Sequence, residues 1–390
     1  MKIVFVSNFF NHHQKPVADA MHTLLGDDYH FIETVPMSEE RIKMGWGGDP
    51  KPSYVKQIYT SIEAKAEAQA LIDKADIVIL GHAPRYLVAQ RLKEKKLTFL
   101  CTERLYKNAF PLWKFPVRFY RHYKAIRRHK SLYLLAASAF ASEDYAKTGC
   151  FKNRAYKWAY FTALKEYDNV EKLIEVKRPT SILWVARLIE VKHPEAPIEV
   201  ARRLKADGYT FEMNLIGTGE LEEKVRALIA EYGLDDCVHL LGSMKPEAVR
   251  EYMETSEIFL FTSDKGEGWG AVLNESMNSA CAVVASHAIG SVPFLIQNGE
   301  NGLIYRDGDL DDLTRKVKQL LDHPDECRKI GFAAYETMKN EWNAENAARR
   351  FIEFAQKLLD GEKHPFPFDT GVCSRAERLK DNWIKNLKRR

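Results

Sequence analysis

The sequence predicts an α/β protein of two domains, each built on a parallel β-sheet with crossover helices. Short apolar runs alternate with amphipathic stretches along the 390 residues, a pattern typical of parallel strands joined by helices. A chain of this length is too long for one ordinary hydrophobic core. A new apolar strand begins at residue 181, after the charged stretch 171–179, so we place the domain boundary near residue 178.

The apolar runs also predict individual elements. Strands are expected at 2–6, 76–80, 97–101, 132–136, 181–185, 211–216, 238–241, 257–262 and 282–285. Helices are expected at 61–74, 194–206, 220–232 and 311–322. The predicted domains are residues 1–178 and 179–355, followed by a helical tail, 356–390, that returns to the first domain.

Composition excludes several classes of protein. Hydrophobic residues make up 45% and charged residues 29%, so the chain is globular rather than disordered. A net charge of +4 does not by itself indicate a nucleic-acid partner. The six cysteines are widely spaced, which is typical of reduced thiols. The first apolar run is too short for a signal peptide, and no run approaches the ~20 apolar residues of a membrane span. We therefore expect a cytoplasmic protein, or one held peripherally on the inner face of the cell membrane.

The most informative segment is 267–275, which reads E-G-W-G-A-V-L-N-E. It follows a predicted strand and opens a helix that is expected to run to about residue 280. If the span were mostly helical, Glu267 and Glu275 would lie ~12 Å apart and could hold both ends of an extended ligand. Glycines let the backbone approach such a ligand, and free amides at a helix start suit phosphate oxygens. The alternative is that Glu267 caps the helix and Glu275 lies on a solvated face.

Three further elements follow predicted strands. Arg187 comes after strand 181–185, and Lys192 follows five residues later. The planar guanidinium of an arginine and the ammonium of a lysine together suit the oxygens of a diphosphate. The alternative for this pair is a solvated basic loop. The turn Gly217-Thr218-Gly219 leads from a strand into a helix, which alone is weak evidence. The fourth element, 288–293, follows strand 282–285.

In this order the four elements resemble the C-terminal domain of family 4 retaining glycosyltransferases, over roughly residues 180–355. The resemblance implies the GT-B fold, in which two Rossmann-like domains face each other across a cleft. It implies that Glu275 holds the donor ribose, that Glu267 contacts the transferred sugar, and that Arg187 and Lys192 neutralise the diphosphate. The other donor-binding residues that it implies are Gly217, Gly219, Met244, Gly268, Trp269, Gly270 and Ala271. Phe294 departs from the family pattern, since many relatives have glutamate there.

The first domain is less typical of the family. Its loop 7–14 contains two histidines, His12 and His13, where relatives often have a Gly-Gly loop, and it is similar to a subgroup among bacterial surface-polysaccharide enzymes. His82 follows strand 76–80, where relatives place a histidine that contacts the sugar or the acceptor. Glu103 follows strand 97–101 and is a further candidate for the acceptor side. The alternatives are a hydrogen-bonded structural role for His82, capping or surface roles for the histidine pair, and a salt-bridged loop at Glu103.

The resemblance implies transfer of a sugar, of the hexosyltransferase type, from a UDP- or GDP-linked donor to a glycan or lipid-linked acceptor. The resemblance alone implies retention of anomeric configuration and a role in surface polysaccharide biosynthesis. Arg187 and Lys192 are expected to replace a divalent ion, so no metal and no cofactor are expected. The alternatives are a nucleotide-sugar epimerase or phosphorylase on the same fold, or a catalytically silent surface-binding protein. A nicotinamide oxidoreductase is disfavoured because no G-x-G-x-x-G follows the first strand.

A basic aromatic stretch occupies residues 113–130. It contains seven Lys or Arg residues and no acid, interleaved with aromatic residues. This composition suits docking on anionic lipid through Arg118, Arg121, Lys124, Arg127 and Arg128. It also suits an ordinary helix with a solvated basic face, and a nucleic-acid partner is the least favoured interpretation.

Overall fold

The computed structural model describes residues 1–39, 42, 50–107, 113 and 115–386. The chain divides into two compact units. The first unit comprises Met1–Ala163 and Trp342–Lys380, and the second comprises Leu164–Glu341 together with the C-terminal residues from Asp381. Each unit contains one sheet in which every named strand pair is parallel.

Within the described residues, the first unit holds a seven-stranded sheet of order β3-β2-β1-β4-β5-β6-β7. Its strands are β1 Ile3–Ser7, β2 Tyr29–Glu33, β3 Val55–Gln57, β4 Ile77–Leu80, β5 Thr98–Thr102, β6 Leu132–Ala136 and β7 Ala155–Lys157. Its helices are Lys15–Leu25, Ile62–Lys74, Ala89–Lys93, Phe115–His122, Ala141–Ala146 and Ala344–Leu359. Shorter turns are the 3-10 segments Gly26–Asp28 and Arg85–Val88 and the π-helical turn Tyr123–Arg127.

The second unit holds a six-stranded sheet of order β10-β9-β8-β11-β12-β13. Its strands are β8 Arg178–Val185, β9 Glu212–Ile216, β10 Val238–Leu240, β11 Ser256–Phe261, β12 Ala282–Ser286 and β13 Leu303–Tyr305. Its helices are Val170–Glu175, Glu195–Ala206, Glu222–Glu231, Pro246–Thr255, Val272–Asn278, Val292–Leu295, Leu310–Asp322 and Pro324–Asn340. Short 3-10 segments occur at Glu190–Lys192 and Trp383–Asn386.

The central strands are continuous apolar runs because helices cover both faces of a parallel sheet. β1 and β12 are buried at every position. In the first unit the helix Ala344–Leu359 covers the sheet, where the rings of Phe351 and Phe354 lie 5.0 and 5.7 Å from that of Phe99. These aromatic contacts add to the hydrophobic stabilisation of the core.

Helix starts follow local sequence signals. Ser61, Asn169, Asp309 and Asn343 each accept a hydrogen bond from a backbone amide in the first turn of the helix that follows. These side chains satisfy amides that have no partner within the helix. Pro246 and Pro324 occupy first positions, where a missing amide proton costs nothing.

The predicted strands and helices are confirmed to within three residues at each end. Four strands were not predicted: β2, β3, β7 and β13. Three of these are only three residues long. The charged or short sequences of these strands gave no clear apolar run.

The boundaries between the two units differ from the domain boundaries predicted at residues 178 and 356. Residues 164–177 lie with the second unit, because Lys165 exchanges two hydrogen bonds with Asn278, at 2.9 and 3.0 Å. Lys177 also donates to the carbonyls of Met253 and Ser256, at 2.9 and 2.8 Å. At the second boundary, the chain returns to the first unit at Trp342, earlier than the predicted residue 356.

The tail after Leu359 is irregular up to the short turn Trp383–Asn386, which corrects the prediction of a helical tail. Pro365 and Pro367 do not support a helix interior. Residues 373–376 instead run beside edge strand β7, with backbone hydrogen bonds from Cys373 to Lys157 and from Ala376 to Ala155. This pairing covers an exposed sheet edge. Across the described residues, no helix combines the length and apolar character that a membrane span requires.

Candidate functional site

The candidate site of the second unit lies at the carboxyl edge of its parallel sheet, where ligands of such folds bind. Four loops follow neighbouring strands along this edge. The loop after β10 carries Met244, and the loop after β9 carries Gly217 and Gly219. The loop after β8 carries Arg187 and Lys192, and the loop after β11 carries Glu267. Three steps between neighbouring strands at ~4.8 Å cover about 14 Å. The predicted donor-binding loops therefore lie side by side over the length of an extended ligand.

Lys192 and Glu267 form an ion pair between Nζ and Oε2. The side chains are only 17% and 15% exposed, so each charge is largely removed from water and depends on the other. Ser263 Oγ donates a further hydrogen bond to the same carboxylate oxygen, at 3.3 Å. The sequence predicted both residues for the site, and the structure brings their charged ends into contact.

The loops that carry this pair are fastened to each other. Thr262, directly after β11, donates from Oγ1 to the carbonyl of Lys192 at 2.7 Å, and receives a hydrogen bond from Trp184 Nε1 at 2.8 Å. The amide of Asp264 donates to the carbonyl of Val191 at 3.1 Å. The loops after β8 and β11 therefore position Lys192 and Glu267 as one rigid assembly.

His193 is a member of this assembly that the sequence analysis missed. Its ring nitrogens lie 3.0 Å from Glu195 Oε1 and 3.3 Å from Asp264 Oδ2. The hydrogen bond to Glu195, together with the nearby Asp264, raises the pKa of His193 to about 9. A protonated His193 therefore clamps the loop beside Lys192. Its position next to the candidate cation Lys192, in the loop after β8, was the available sequence signal.

Arg187 lies two residues beyond the end of β8 and is exposed. In the part of the chain that the structure describes, its guanidinium makes no salt bridge. An arginine in this state can offer its planar fork to a phosphate without first breaking an ion pair. The two predicted cations thus differ, because Lys192 is already paired.

Glu275 lies in the helix Val272–Asn278 and is only partly exposed. Burial raises the pKa of its carboxyl, and the charge of Arg250 opposes that rise. Arg250 itself donates to the Glu275 backbone carbonyl at 3.2 Å, not to the carboxylate. Among the described residues the Glu275 carboxylate has no hydrogen-bond partner. A shielded carboxylate with open acceptor positions is suited to hydroxyl donors of a ligand.

Glycines allow the neighbouring loops to approach closely. A Cβ atom at Gly217 would lie 1.8 Å from the carbonyl oxygen of Ala186, and one at Gly219 would lie 2.4 Å from that of Leu188. The Gly217 amide also donates to the carbonyl of Gly242 at 2.8 Å, which ties the loop of Met244 to the same edge. These glycines are required by the packing of the edge, whatever ligand it binds.

The ring of Trp269 is fully buried, and its Nε1 donates to Asn274 Oδ1 at 2.9 Å. Its ring therefore cannot reach a ligand, which limits the predicted donor-binding role to the backbone. Gly268 is buried, while Gly270 and Ala271 are partly exposed. Gly270 has a φ of 82°, and a Cβ there would meet the ring of Phe261 at 2.2 Å.

The predicted helical span between the two glutamates is wrong. The helix begins only at Val272, so Glu267 lies in the preceding loop. A turn that begins at Asp264 shapes that loop, with the Asp264 Oδ1 atom accepting from the Gly266 amide at 2.6 Å. Glu267 is held by the loop and Glu275 by the helix, so the estimate of their separation from helical rise does not apply.

No cluster of three metal-ligating side chains is found among the described residues. The acidic run 307–312 contains Asp-x-Asp spacing, which the sequence analysis passed over. Its carboxylates have local roles: Asp309 caps the helix Leu310–Asp322, and Asp311 pairs with Arg203 at 2.5 Å. Asp307 accepts from Ser286 Oγ at 3.3 Å, and burial raises its pKa.

In the first unit, Tyr160 brings together two of the predicted residues. Its hydroxyl donates to Glu103 Oε1 at 2.7 Å, and its ring stacks on that of His13 at a centroid distance of 6.3 Å. His12 lies 3.8 Å from His13, centroid to centroid. Burial, with the neighbouring His12, lowers the pKa of His13 to about 3, so that His13 is neutral at physiological pH. Glu103 also pairs with Lys107 at 3.1 Å, as the salt-bridged alternative predicted.

His82 lies two residues beyond the end of β4 and is exposed. The described residues offer no hydrogen-bond partner to its ring, so the structural alternative for this histidine has no support. Glu33, which was not predicted, is fully buried at the end of β2. It accepts from the Phe10 amide at 2.8 Å and from Gln57 at 2.8 Å, and thereby holds the loop that carries the histidine pair.

The basic aromatic stretch forms the helix Phe115–His122 and the π-helical turn Tyr123–Arg127. Lys114 lies outside the described residues. Arg121, Lys124, Arg127 and Arg128 are exposed. Arg118 is partly buried, with its guanidinium 4.9 Å from the centre of the Tyr106 ring, so it faces the protein more than the other four.

Residues 166–337 match the family model described as glycosyl transferases group 1. The amylovoran biosynthesis glycosyltransferase AmsK of Erwinia amylovora is 33% identical over 186 residues, which is 46% of this chain and 46% of that protein. The putative colanic acid biosynthesis glycosyltransferase WcaL of Salmonella typhimurium is 28% identical over 187 residues, again 46% of each. The chain thus spans about half the length of the curated relatives it matches.

Solved structures resemble nearly the whole chain. Alr3699/HepE of Anabaena in complex with UDP covers 92% of this chain and 100% of its own, with a TM-score of 0.68 and 14% identity. A glycosyltransferase from Rickettsia africae covers 93% and 99%, with a TM-score of 0.65 and 17% identity. The predicted fold is thereby confirmed as α/β of the GT-B type, with two parallel sheets and their helices.

Proposed function

We propose that this protein is a glycosyltransferase that moves a hexose from a nucleoside diphosphate sugar to a glycan or lipid-linked acceptor. The observation that carries the proposal is the carboxyl edge of the second sheet. Arg187, which makes no salt bridge within the described residues, and the paired Lys192 and Glu267 lie there on neighbouring loops. The helix that follows the loop of Glu267 carries the shielded carboxylate of Glu275. The match to the glycosyl transferases group 1 model covers the same segment.

The donor is proposed to lie along the strand order. Met244 and the turn of Gly217 and Gly219 would contact the nucleoside, and the Glu275 carboxylate would accept from the ribose hydroxyls. Arg187 and Lys192 would hold the diphosphate, with the sugar beside Glu267. UDP and UDP-glucose are the first donors to consider, because structures of Alr3699/HepE contain UDP and UDP-glucose.

The proposed catalysis is electrostatic. Negative charge builds on the diphosphate as the bond to the sugar breaks, and groups fixed in place before the reaction stabilise it without reorganisation. Arg187 offers its charge directly. Lys192 is fixed by Thr262 and Glu267, and it shares its charge between the Glu267 carboxylate and the leaving group.

Positive charge builds on the sugar ring at the same time, and the Glu267 carboxylate is the candidate group to face it. Two cations replace a divalent ion in this scheme, so transfer is proposed to be independent of metal. Retention of anomeric configuration and a role in surface polysaccharide biosynthesis are proposed from the resemblance to family 4 enzymes. The names of AmsK and WcaL support the biosynthetic role.

The test is release of the free nucleotide from UDP- and GDP-sugars, measured with and without candidate glycan acceptors. We expect release that depends on an acceptor, with the sugar recovered in the acceptor fraction, and activity that survives EDTA. Interconversion of the donor sugar without release would indicate an epimerase. Phosphate-dependent cleavage of a glycan would indicate a phosphorylase. Loss of activity in EDTA that magnesium restores would refute the metal-independent scheme.

A further inference from the structure

A second concave site lies wholly within the first unit, on the face of its sheet. It is a cavity of about 280 Å³. Leucines from three neighbouring strands form its floor: Leu80 of β4, Leu100 of β5 and Leu132 of β6. Such a floor binds hydrocarbon and offers no hydrogen bonds to a polar ligand.

Two helical segments form the walls of this cavity. Ala89 and Leu92 stand on one side, in the helix Ala89–Lys93. Ala125 stands on the other side, in the π-helical turn Tyr123–Arg127. Single π-helical turns within a helix are often associated with functional sites.

Four exposed cations surround the cavity: Arg85, Lys93, Lys124 and Arg128. The lining contains no carboxylate, and none of the four cations makes a salt bridge within the described residues. The cations are therefore not neutralised by acids of the same surface. An apolar cavity within a ring of cations is complementary to an amphiphile that has an anionic head group and a hydrocarbon chain.

The adjoining surface has the same character. The helix Phe115–His122 has no buried residue. Val117 is 57% exposed and Tyr120 is 56% exposed, while Tyr86 at the cavity itself is 62% exposed. Exposed apolar and aromatic side chains among cations are typical of helices that lie in a membrane interface.

We propose that the cavity binds one acyl chain of an anionic phospholipid in a membrane surface, with the phosphate held by Lys124, Arg128 and Arg85. The helix Phe115–His122 then lies in the interface beside it. This site goes beyond sugar transfer and does not rest on it. Nucleic acid is the competing ligand, because Tyr86 and His129 line the cavity and could stack on bases, but the leucine floor offers bases no hydrogen bonds.

The first experiment measures binding of the full chain to vesicles of phosphatidylcholine, with and without phosphatidylglycerol. We expect binding only with phosphatidylglycerol, and weakening by salt. The double variant Lys124→Gln/Arg128→Gln should bind more weakly, by roughly fivefold for each cation removed. Its matched control is Lys65→Gln/Lys74→Gln, at two exposed positions of the helix Ile62–Lys74 that do not line the cavity, and this control should bind like the wild type.

The second experiment tests the cavity itself. Monomeric lysophosphatidylglycerol, kept below its micelle concentration, is titrated into the protein by calorimetry. We expect one molecule bound per chain, and no binding of glycerol phosphate. Ala89→Trp, at an exposed cavity position, should abolish this binding, and so should Ala125→Phe on the opposite wall. Ala66→Trp, at an exposed position of another helix, should retain it.

Thermal unfolding of each variant checks that the fold is intact. Equal lysolipid binding by Ala89→Trp, Ala125→Phe and the wild type would refute the cavity. Equal binding of glycerol phosphate would show a site for free phosphate instead of a chain. The proposal would be overturned if the protein bound RNA but did not bind anionic vesicles, and if those vesicles did not displace the RNA. Such a result would assign the surface to nucleic acid.

Discussion

Replacing Glu275 by glutamine should weaken binding of the donor nucleotide and stabilise the free protein at the same time. The carboxylate is partly buried and lacks a hydrogen-bond partner among the described residues, and burial raises its pKa. Glutamine keeps the shape and one acceptor oxygen but removes the charge. Loss of one hydrogen bond to a charged group costs ~1.5–3 kcal/mol, which corresponds to an increase of about ten- to 150-fold in the Kd for UDP.

The stability effect has the opposite sign. A carboxyl whose folded pKa lies above its unfolded pKa binds its proton more tightly in the folded state. The free energy of unfolding therefore falls as the pH rises from the unfolded pKa through the folded pKa, and stays lower above it. Glutamine removes this loss, so Glu275→Gln should have the higher Tm at neutral pH without ligand.

Calorimetric titration with UDP and thermal unfolding, with and without UDP, measure both effects. Glu251→Gln, at an exposed position of the helix Pro246–Thr255, is the matched control and should change neither. The proposed contact with the ribose would be refuted if Glu275→Gln bound UDP with the Kd of the wild type and if UDP raised the Tm of both proteins by the same amount.

The remaining predictions concern the charged loop beside the proposed diphosphate site. Arg187→Ala and Lys192→Ala should each lower kcat more than they raise KM, because their charges matter most as the leaving group departs; a large rise in KM at unchanged kcat for both would contradict this. His193 has a pKa of about 9, above its unfolded value of about 6.5, so its contribution to stability is complete below pH ~6.5 and is lost as the pH rises through ~9. The urea midpoint of the wild type should fall across this pH window, and His193→Gln should show a smaller fall; identical pH profiles would exclude the clamp.

The elements that could be predicted from sequence are those whose burial produces a local pattern. β1, β4 and β12 are continuous apolar runs because both faces of each strand are covered. β3 reads V-K-Q and β7 reads A-Y-K, and these edge strands are too short and too polar to differ from a loop. Local patterns therefore identified the centres of both sheets and missed their margins.

The boundary between the units could not be predicted from the local sequence, for a different reason. Residues 164–177 join the second unit through contacts such as that between Lys165 and Asn278, which are more than a hundred positions apart in the chain. The charged stretch before residue 178 marks a change of composition. It does not report which core the preceding segment packs on, because that depends on long-range contacts.

The candidate site shows the same distinction. Residue type and position after a strand indicated Arg187, Lys192, Glu267 and Glu275. The residues that hold these side chains in place could not be predicted from the sequence. The contacts that fix the loop of Lys192 come from the loop after another strand, through the side chain of Thr262 and the backbone of Asp264. His193 was missed for this reason, since its partner Asp264 lies 71 residues further along the chain.

The pairing of Lys192 with Glu267 means that the two predicted cations cannot contribute in the same way. Removing Arg187 takes away a charge that makes no salt bridge within the described residues, so we expect its loss to act only on the proposed contact with the diphosphate. Removing Lys192 also leaves Glu267 partly buried without its counter-charge, and such a group costs far more than the net value of the pair. The effects of Lys192 and Glu267 substitutions are therefore coupled and do not add, whereas those of Arg187 and Glu267 add unless the two side chains share a ligand. The difference between the effects of Lys192→Ala in the wild type and in a Glu267→Gln background is therefore the coupling energy of this pair. The effect that remains in the Glu267→Gln background is the better measure of the proposed role of Lys192, because it leaves no unpaired Glu267 carboxylate behind.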